Sequence, residues 1–294
     1  MSKKIAVLGL GAMGLPMATN FAKTFEVSGF DPVAKRVVLA NDAGIKTASS
    51  ARDAARGADF VVLAVRNQAQ LDNALYGDDG VVDVLDEGAT IILTSTVGVE
   101  VAENAEAPLM EKGIGLVDAP VSGGPVRAGE GDLLVVVGAV PEVYERALPV
   151  LDAMAGTLVK VGDASGKGQA MKTVNQLLCG VHIAAAGEAL ALARKLELDV
   201  EQALNALMAG AAASFMLGDR GQRMLDAYGD EDVEVKSRLD IFVKDMGIVT
   251  DAAKAVGLAV PVAAAAQQEY LIGVAQGMAA KDDSSVIRVI APEA

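Results

Sequence analysis

The apolar run Ile5-Ala6-Val7-Leu8 ends in Gly9-x-Gly11-x-x-Gly14 and continues into a helical period that lasts to about Lys23; a second short stretch then closes on Asp31. The run has the composition of a strand covered on both faces. Gly9 permits a tight turn, Gly11 lets backbone approach a bound group closely, and Gly14 lets helix and strand pack together. The helix that starts there offers N–H groups and a partial positive charge, which suits phosphate. The order strand, glycine turn, helix, strand therefore predicts a dinucleotide-binding unit, with Gly9, Leu10, Gly11, Ala12, Met13 and Gly14 as the cofactor turn. Asp31 stands where a carboxylate binds both ribose hydroxyls. It would repel a 2′-phosphate, so NAD is expected rather than NADP. Two other origins compete. The pattern could arise by chance in a chain with 31 glycines, and Lys3-Lys4 before an apolar stretch is reminiscent of a secretory leader. The glycines interrupt that stretch at the pattern's own positions, Pro16 follows, and a strand ending in Asp31 has no role in a leader.

Length and composition narrow the rest. A chain of 294 residues suggests about two domains, and 52% hydrophobic residues can bury a large core. Aromatics make up only 3%, so that core is built from Ala, Val, Leu, Ile and Met. The net charge of −14 disfavours a nucleic-acid or anionic-membrane surface, and an anionic substrate would need local Lys or Arg. One Cys, Cys179, excludes an intrachain disulfide and fits a reducing cytoplasm. With a single His beside it, His182, no zinc cluster of usual spacing can be assembled, and no metal is expected. After the N-terminal stretch no uninterrupted apolar run approaches the ~20 residues of a membrane span.

Strand-like runs alternate with helical stretches at roughly 4–8, 26–30, 59–65, 90–95, 115–120, 132–138 and 157–161. This alternation implies an α/β, doubly wound sheet. After about Gly166 the texture becomes Ala- and Leu-rich helix. Lys167 to Leu196 reads as one helix of about 45 Å, followed by helices near 200–211, 214–228, 239–256 and 261–279, with an acidic loop from Gly229 to Val235. The expected organisation is a nucleotide domain over 1–165 and an all-α domain over 166–294, built on a long interdomain helix. Ligands of open α/β sheets bind beyond the carboxyl ends of the strands. That rule nominates Gly9–Gly14, Asp31, Val65-Arg66-Asn67, Thr94-Ser95-Thr96 and Ala119 to Gly124.

A bound nicotinamide implies hydride transfer, and oxidation of an alcohol also needs a base for the hydroxyl proton. His182 lies inside Val181-His182-Ile183-Ala184 and reads as a helix-face residue; Cys179 reads as packing. Lys172 is the stronger base. It shares a helix face with Asn175, and Cys179 and His182 continue that face. The competing reading is an exposed lysine lying along the helix surface. A lysine base must shed its proton near neutral pH, which burial and a neighbouring cation favour. Lys244 is the candidate neighbour, against ordinary pairing with Asp245 or Asp240. Ser122, Gly123 and Gly124 offer a hydroxyl and N–H groups to a carboxylate, or form a plain turn.

Gly9 to Asn20 resembles the N-terminal signature of the β-hydroxyacid dehydrogenases. Asp118 to Gly124 resembles the substrate-binding loop of that family, Gly168 to Asn175 its catalytic helix, and Phe242 to Asp245 its cofactor- and substrate-contacting helix. The four motifs run in order over nearly the whole chain. The resemblance implies a Rossmann-type sheet followed by an all-α domain, with Lys172 as general acid/base and Asn175 orienting the substrate. It further implies that Ser122, Gly123 and Gly124 hold a small anionic hydroxy acid, that Thr96 lies near the nicotinamide end of the cofactor, that Lys244 contacts cofactor and substrate, and that the protein is a homodimer or homotetramer closing over its cofactor. Val65 to Gln70, Gln176 to Ala185 and Lys281 to Ile287 resemble the L-threonate dehydrogenase branch, which oxidises the 2-hydroxyl of a four-carbon sugar acid. 3-Hydroxyisobutyrate and tartronate semialdehyde are the alternative substrates, and a non-catalytic NAD-binding protein is the alternative class. The chain departs from the family at Pro125-Val126-Arg127, where Arg127 adds a cation. It also carries Asp31-Pro32-Val33 where the NADP-using members have Asn-Arg-Thr. Lys35 and Arg36 keep NADP as the second cofactor.

Overall fold

The computed structural model describes residues 3–229 and 233–292. Contacts gather the chain into two compact units, Met1–Lys172 and Thr173–Ala294. The chain runs β1 (Lys4–Leu8), α1 (Gly14–Phe21), β2 (Glu26–Phe30), α2 (Ala34–Asp42), β3 (Lys46–Thr47), α3 (Ala51–Ala55), β4 (Phe60–Leu63), α4 (Gln68–Tyr76), β5 (Thr90–Leu93), α5 (Val99–Met110) and β6 (Gly115–Asp118). It continues through β7 (Val121–Ser122), α6 (Gly124–Glu130), β8 (Leu133–Gly138), α7 (Pro141–Met154) and β9 (Ala155–Gly162).

These nine strands form one sheet in the order β3-β2-β1-β4-β5-β6-β8-β7, with β9 added beside β8. From β3 to β6 every pairing is parallel. The direction of the strand order reverses between β1 and β4, so their C-terminal ends open a crevice. Alternate residues divide the core, as a period of two requires. Ile5, Val7, Phe60 and Val62 pack with Met17 and Phe21 of α1 and with Leu151 of α7. Ala6, Leu8, Val61 and Leu63 pack on the opposite face with Ala54, Leu71, Leu75 and Leu109. Both faces being covered explains why the strands read as unbroken apolar runs.

The structure corrects the strand reading in three places. β4, β5 and β6 end two residues before the apolar runs do, because residues such as Ala119 are buried in the loops past the sheet edge. β3 and β7, two residues each, carry no period and were not anticipated. The far side of the sheet is mixed, with β9 parallel to β8. β8 runs antiparallel to β6 and β7, and only ten residues separate β7 from β8, too few for the dozen or more of a parallel crossover.

Helix α8 (Lys167–Lys195) has 29 residues and carries the chain from one unit into the other. By length and mean hydropathy it is the one described helix apolar enough to cross a membrane, although polar residues interrupt its apolar stretches. More than half of its most apolar window is buried inside the protein, as in a core helix. α9 (Val200–Ala209), α10 (Phe215–Asp226), α11 (Leu239–Ala255), α12 (Pro261–Ala275), a 3-10 turn at Asp283–Val286 and α13 (Ile287–Ile290) complete the second unit. Their core centres on Tyr270, which stacks on Phe242 at 5.3 Å and donates its hydroxyl to the Gly180 carbonyl at 2.7 Å. The Asp282-Asp283 pair is wholly buried and accepts from Arg223 and Arg220, at 3.0 Å for the shortest contact of each. Of the expected acidic loop, Asp230 to Asp232 lie outside the described residues.

Candidate active site

The fingerprint turn lies at the C-terminal end of β1. Gly9 has φ +93°, and a Cβ there would run into the Ala64 carbonyl; a Cβ on Gly14 would meet the Gly9 carbonyl. Both positions therefore require glycine. Gly11 is different: only the Arg36 guanidinium, 3.8 Å away, faces its missing Cβ. Leu10, Gly11, Ala12 and Arg36 line a groove of about 430 Å³ that runs on past Leu15 and Leu39. α1 opens at Gly14 without a side-chain cap at Met13. Open backbone at Gly11 and an uncapped helix start fit the pyrophosphate of a dinucleotide. Asp31 is buried. Its Oδ2 accepts the Leu10 N–H at 2.8 Å and its Oδ1 the Val33 N–H at 2.9 Å, while Arg36 Nη1 approaches Oδ2 at 3.2 Å. The carboxylate thus fixes the turn, and the adjacent cation is already matched to it.

The next strand ends supply the remaining residues nominated in the first unit. Val65 follows β4, and its N–H donates to Ser95 Oγ at 2.8 Å. Arg66 is exposed, and its N–H donates to the Gln70 side chain. Asn67 caps α4 by accepting the Gln70 N–H at 3.0 Å. Thr96 is half-buried between the two backbone groups, Ser95 O and Val97 N–H, that bond to the side chain of Gln169. Past β6 the chain enters Ala119 to Gly124. Ser122 pairs with Leu134 in the β7–β8 ladder, and Gly123, at φ +143°, is the N-cap residue just before α6. Arg127 is ion-paired with Asp132 at 2.8 Å rather than standing as an unmatched cation.

Asp118 and Gln169, neither of which was assigned a role from the sequence, are fully buried beside this loop. Burial pushes the Asp118 carboxyl up to about 6, against the Gln169 side chain and the N–H groups of Gln169, Gly166 and Gly168, which favour the ionised form. The sequence signal available was a polar amide among the glycines at the start of an apolar helix. Lys172, one turn further along α8, is 7% exposed, so it is not a lysine lying on the surface.

In the second unit, Asn175 is half-buried, and its amide donates to Gln176 Oε1 at 2.9 Å and to Cys179 Sγ at 3.3 Å. Cys179 is buried and His182 half-buried, as helix-face residues. Lys244, on α11, pairs with the buried Asp245 at 2.7 Å; Asp240 instead takes Arg238. Asp245 also accepts from Gln176, which ties α11 to α8.

Comparison with known proteins is consistent along the whole length. Residues 4–162 match the family model for the NAD binding domain of 6-phosphogluconate dehydrogenase. Residues 166–290 match that for the NAD-binding region of NADP-dependent 3-hydroxyisobutyrate dehydrogenase. L-threonate dehydrogenase of Pectobacterium atrosepticum is 35% identical over 97% of this chain and 93% of its own. 2-Hydroxy-3-oxopropionate reductase of Escherichia coli is 30% identical over 98% of this chain and 97% of its own. A solved structure described as 3-hydroxyisobutyrate dehydrogenase from Salmonella typhimurium superposes with a TM-score of 0.90 at 34% identity, covering 98% of this chain and 99% of the other.

Proposed function

Since this chain belongs to the β-hydroxyacid dehydrogenase family of NAD(P)-dependent oxidoreductases, related to 3-hydroxyisobutyrate dehydrogenase, we propose that it oxidises a small hydroxy acid with NAD, its substrate a four-carbon sugar acid such as L-threonate. The observation that carries this reading is Lys172: a lysine only 7% exposed on α8, in the run Gly168 to Asn175 that resembles the catalytic helix of the family. Relatives named L-threonate dehydrogenase, 35% identical over nearly the full length, support the choice of acid. The 30% identical reductase keeps tartronate semialdehyde as a second substrate to test, and the Salmonella structure keeps 3-hydroxyisobutyrate.

In this reading Gly9–Gly14, Asp31, Val65 to Asn67, Thr96 and Lys244 hold the cofactor. When bound, NAD supplies the acceptor for the hydride leaving the carbinol carbon. Lys172 Nζ takes the hydroxyl proton, and returns it in the reverse direction. Ser122, Gly123 and Gly124 bind the substrate carboxylate through a hydroxyl and backbone N–H groups, while Asn175 and Lys244 orient the acid. Of the cations that would offset a net charge of −14 locally, Lys244 is paired with Asp245 and Arg127 with Asp132. NAD is preferred because the Asp31 carboxylate repels a 2′-phosphate and Arg36 is paired to it. The 1–165 region serves as the cofactor domain; the helical region serves substrate closure and self-association. The one cysteine, Cys179, is buried, and a lone thiol fits a reducing cytoplasm.

Lys172→Ala tests the assignment. Turnover should fall by about 10²–10⁴-fold, the usual weight of a general base, while NADH still binds in a fluorescence titration. Turnover that survives removes Lys172 from the chemistry. Assaying NADH formation over a panel of C3–C5 hydroxy acids, L-threonate included, tests the substrate.

A further inference from the structure

Gln169 has no exposed surface, and its amide makes four hydrogen bonds. Oε1 accepts from the N–H of Val97 at 2.9 Å and of Gly98 at 3.1 Å. Nε2 donates to the Ser95 carbonyl at 3.0 Å and to Asp118 Oδ1 at 2.8 Å. Two donors and two acceptors are the working capacity of such an amide. The other carboxylate oxygen, Asp118 Oδ2, accepts the N–H of Gly166 and of Gln169, each at 2.9 Å. Ser95 Oγ extends the set by accepting the Val65 N–H at 2.8 Å.

Three segments meet here. The groups taken from the β5 loop, Ser95 O and Val97 N–H, flank Thr96. Asp118 closes β6 and is followed at once by Ala119 to Gly124. Gln169 itself stands three residues before Lys172, about one turn of the same helix. Capping α8 would need only a carboxylate such as Asp118, and filling the space would need only an apolar side chain. A buried amide costs free energy unless all its groups are matched, and once matched it specifies one arrangement. Resting on the reading of Lys172 as the base, we propose that Gln169 and Asp118 are positioning residues that hold Lys172, Thr96 and the Ser122–Gly124 loop in register for proton and hydride transfer. Misplacement by about 1 Å at a reacting centre costs on the order of 10²-fold in rate.

Gln169→Glu keeps the shape and the acceptor for Val97 and Gly98 but turns a carboxylate oxygen toward Asp118 and the Ser95 carbonyl. The assay uses L-threonate, or the panel acid that is turned over fastest, in protiated form and deuterated at the reacting carbon. For the folded variant, kcat is expected to fall about 100-fold, with KM and the NADH dissociation constant within about threefold. The deuterium effect on kcat is expected to rise as hydride transfer becomes limiting. Adding Asp118→Asn places a donor opposite the new carboxylate and is expected to restore at least about tenfold of the loss. If Gln169→Glu does not fold, Gln169→Met, neutral and of similar length, is read in the same way. A folded variant whose kcat stays within about threefold overturns the proposal. So does one whose kcat and NADH affinity fall and whose KM rises together with a loss of melting temperature and without a change in isotope effect. Lys172→Ala run alongside separates the two ideas: survival of its turnover sinks the underlying reading, whereas its collapse beside an intact Gln169→Glu sinks only this one.

Discussion

A carboxylate at the end of the second strand does two jobs here, and both come from its position. Asp31 accepts the Leu10 and Val33 N–H groups, which shapes the cofactor turn, and it pairs with Arg36. Removing it unmasks a guanidinium beside Gly11. Asp31→Ala is therefore expected to move the NADP-to-NAD ratio of kcat/KM toward NADP by about tenfold, roughly 1.4 kcal/mol of differential binding; steady-state rates with both cofactors measure it, and an unchanged ratio rejects this role. Asp31 stood out as a candidate in the sequence because it closes a strand, and Lys172 because it shares a helix face with Asn175 in a run that resembles the catalytic helix of the family. Gln169 did not. Its partners Val97 and Gly98 are more than 70 residues away, and nothing in the local pattern distinguishes an amide that faces solvent from one with four buried partners.

Among elements, the long helices were the most readable, since extended Ala- and Leu-rich stretches favour helix throughout; α8 was expected over 167–196 and ends at Lys195. Strand ends were less so, because burial continues past the last ladder bond. The C-terminal run Lys281 to Ile287, which resembles one branch of the family, has a role in this fold that composition did not reveal: Asp282 and Asp283 bury their charges against Arg223 and Arg220. Helix pairing also sets a pH dependence. On α12, burial first and then Glu188 of α8 push the Glu269 carboxyl up to about 7, from 4.5. The folded state holds this proton more tightly than the unfolded chain does. Its contribution to stability is complete below about pH 4.5 and is lost as pH rises through about 7. Glu269→Gln has no proton to lose. Its melting temperature should exceed that of the wild type at pH 8 and converge with it near pH 5; parallel curves for the two proteins would show that Glu269 does not titrate across this range.

At the scale of the whole molecule, the helical region exposes more apolar surface than its own core requires. Val174, Leu178 and Leu192 on α8, Leu196 just past its end, and Val262, Leu271 and Ile272 on α12 stand in solvent. Apolar surface of this kind marks association, and the expected state is a dimer or tetramer; sedimentation velocity finding only a 30.0 kDa species would reject it. Amino-acid order alone was enough for the nucleotide turn, the alternation of strand and helix and the change to all-helix near residue 166, because each is written in the spacing of neighbours along the chain. It did not contain the antiparallel pairings of β8 with β6 and β7, the matching of Arg127 by Asp132, the burial of Lys172 or the four-bonded amide of Gln169. Most of those depend on segments that are adjacent in space and distant in sequence, and for a polar group the identity of such neighbours decides between an exposed charge and a built site.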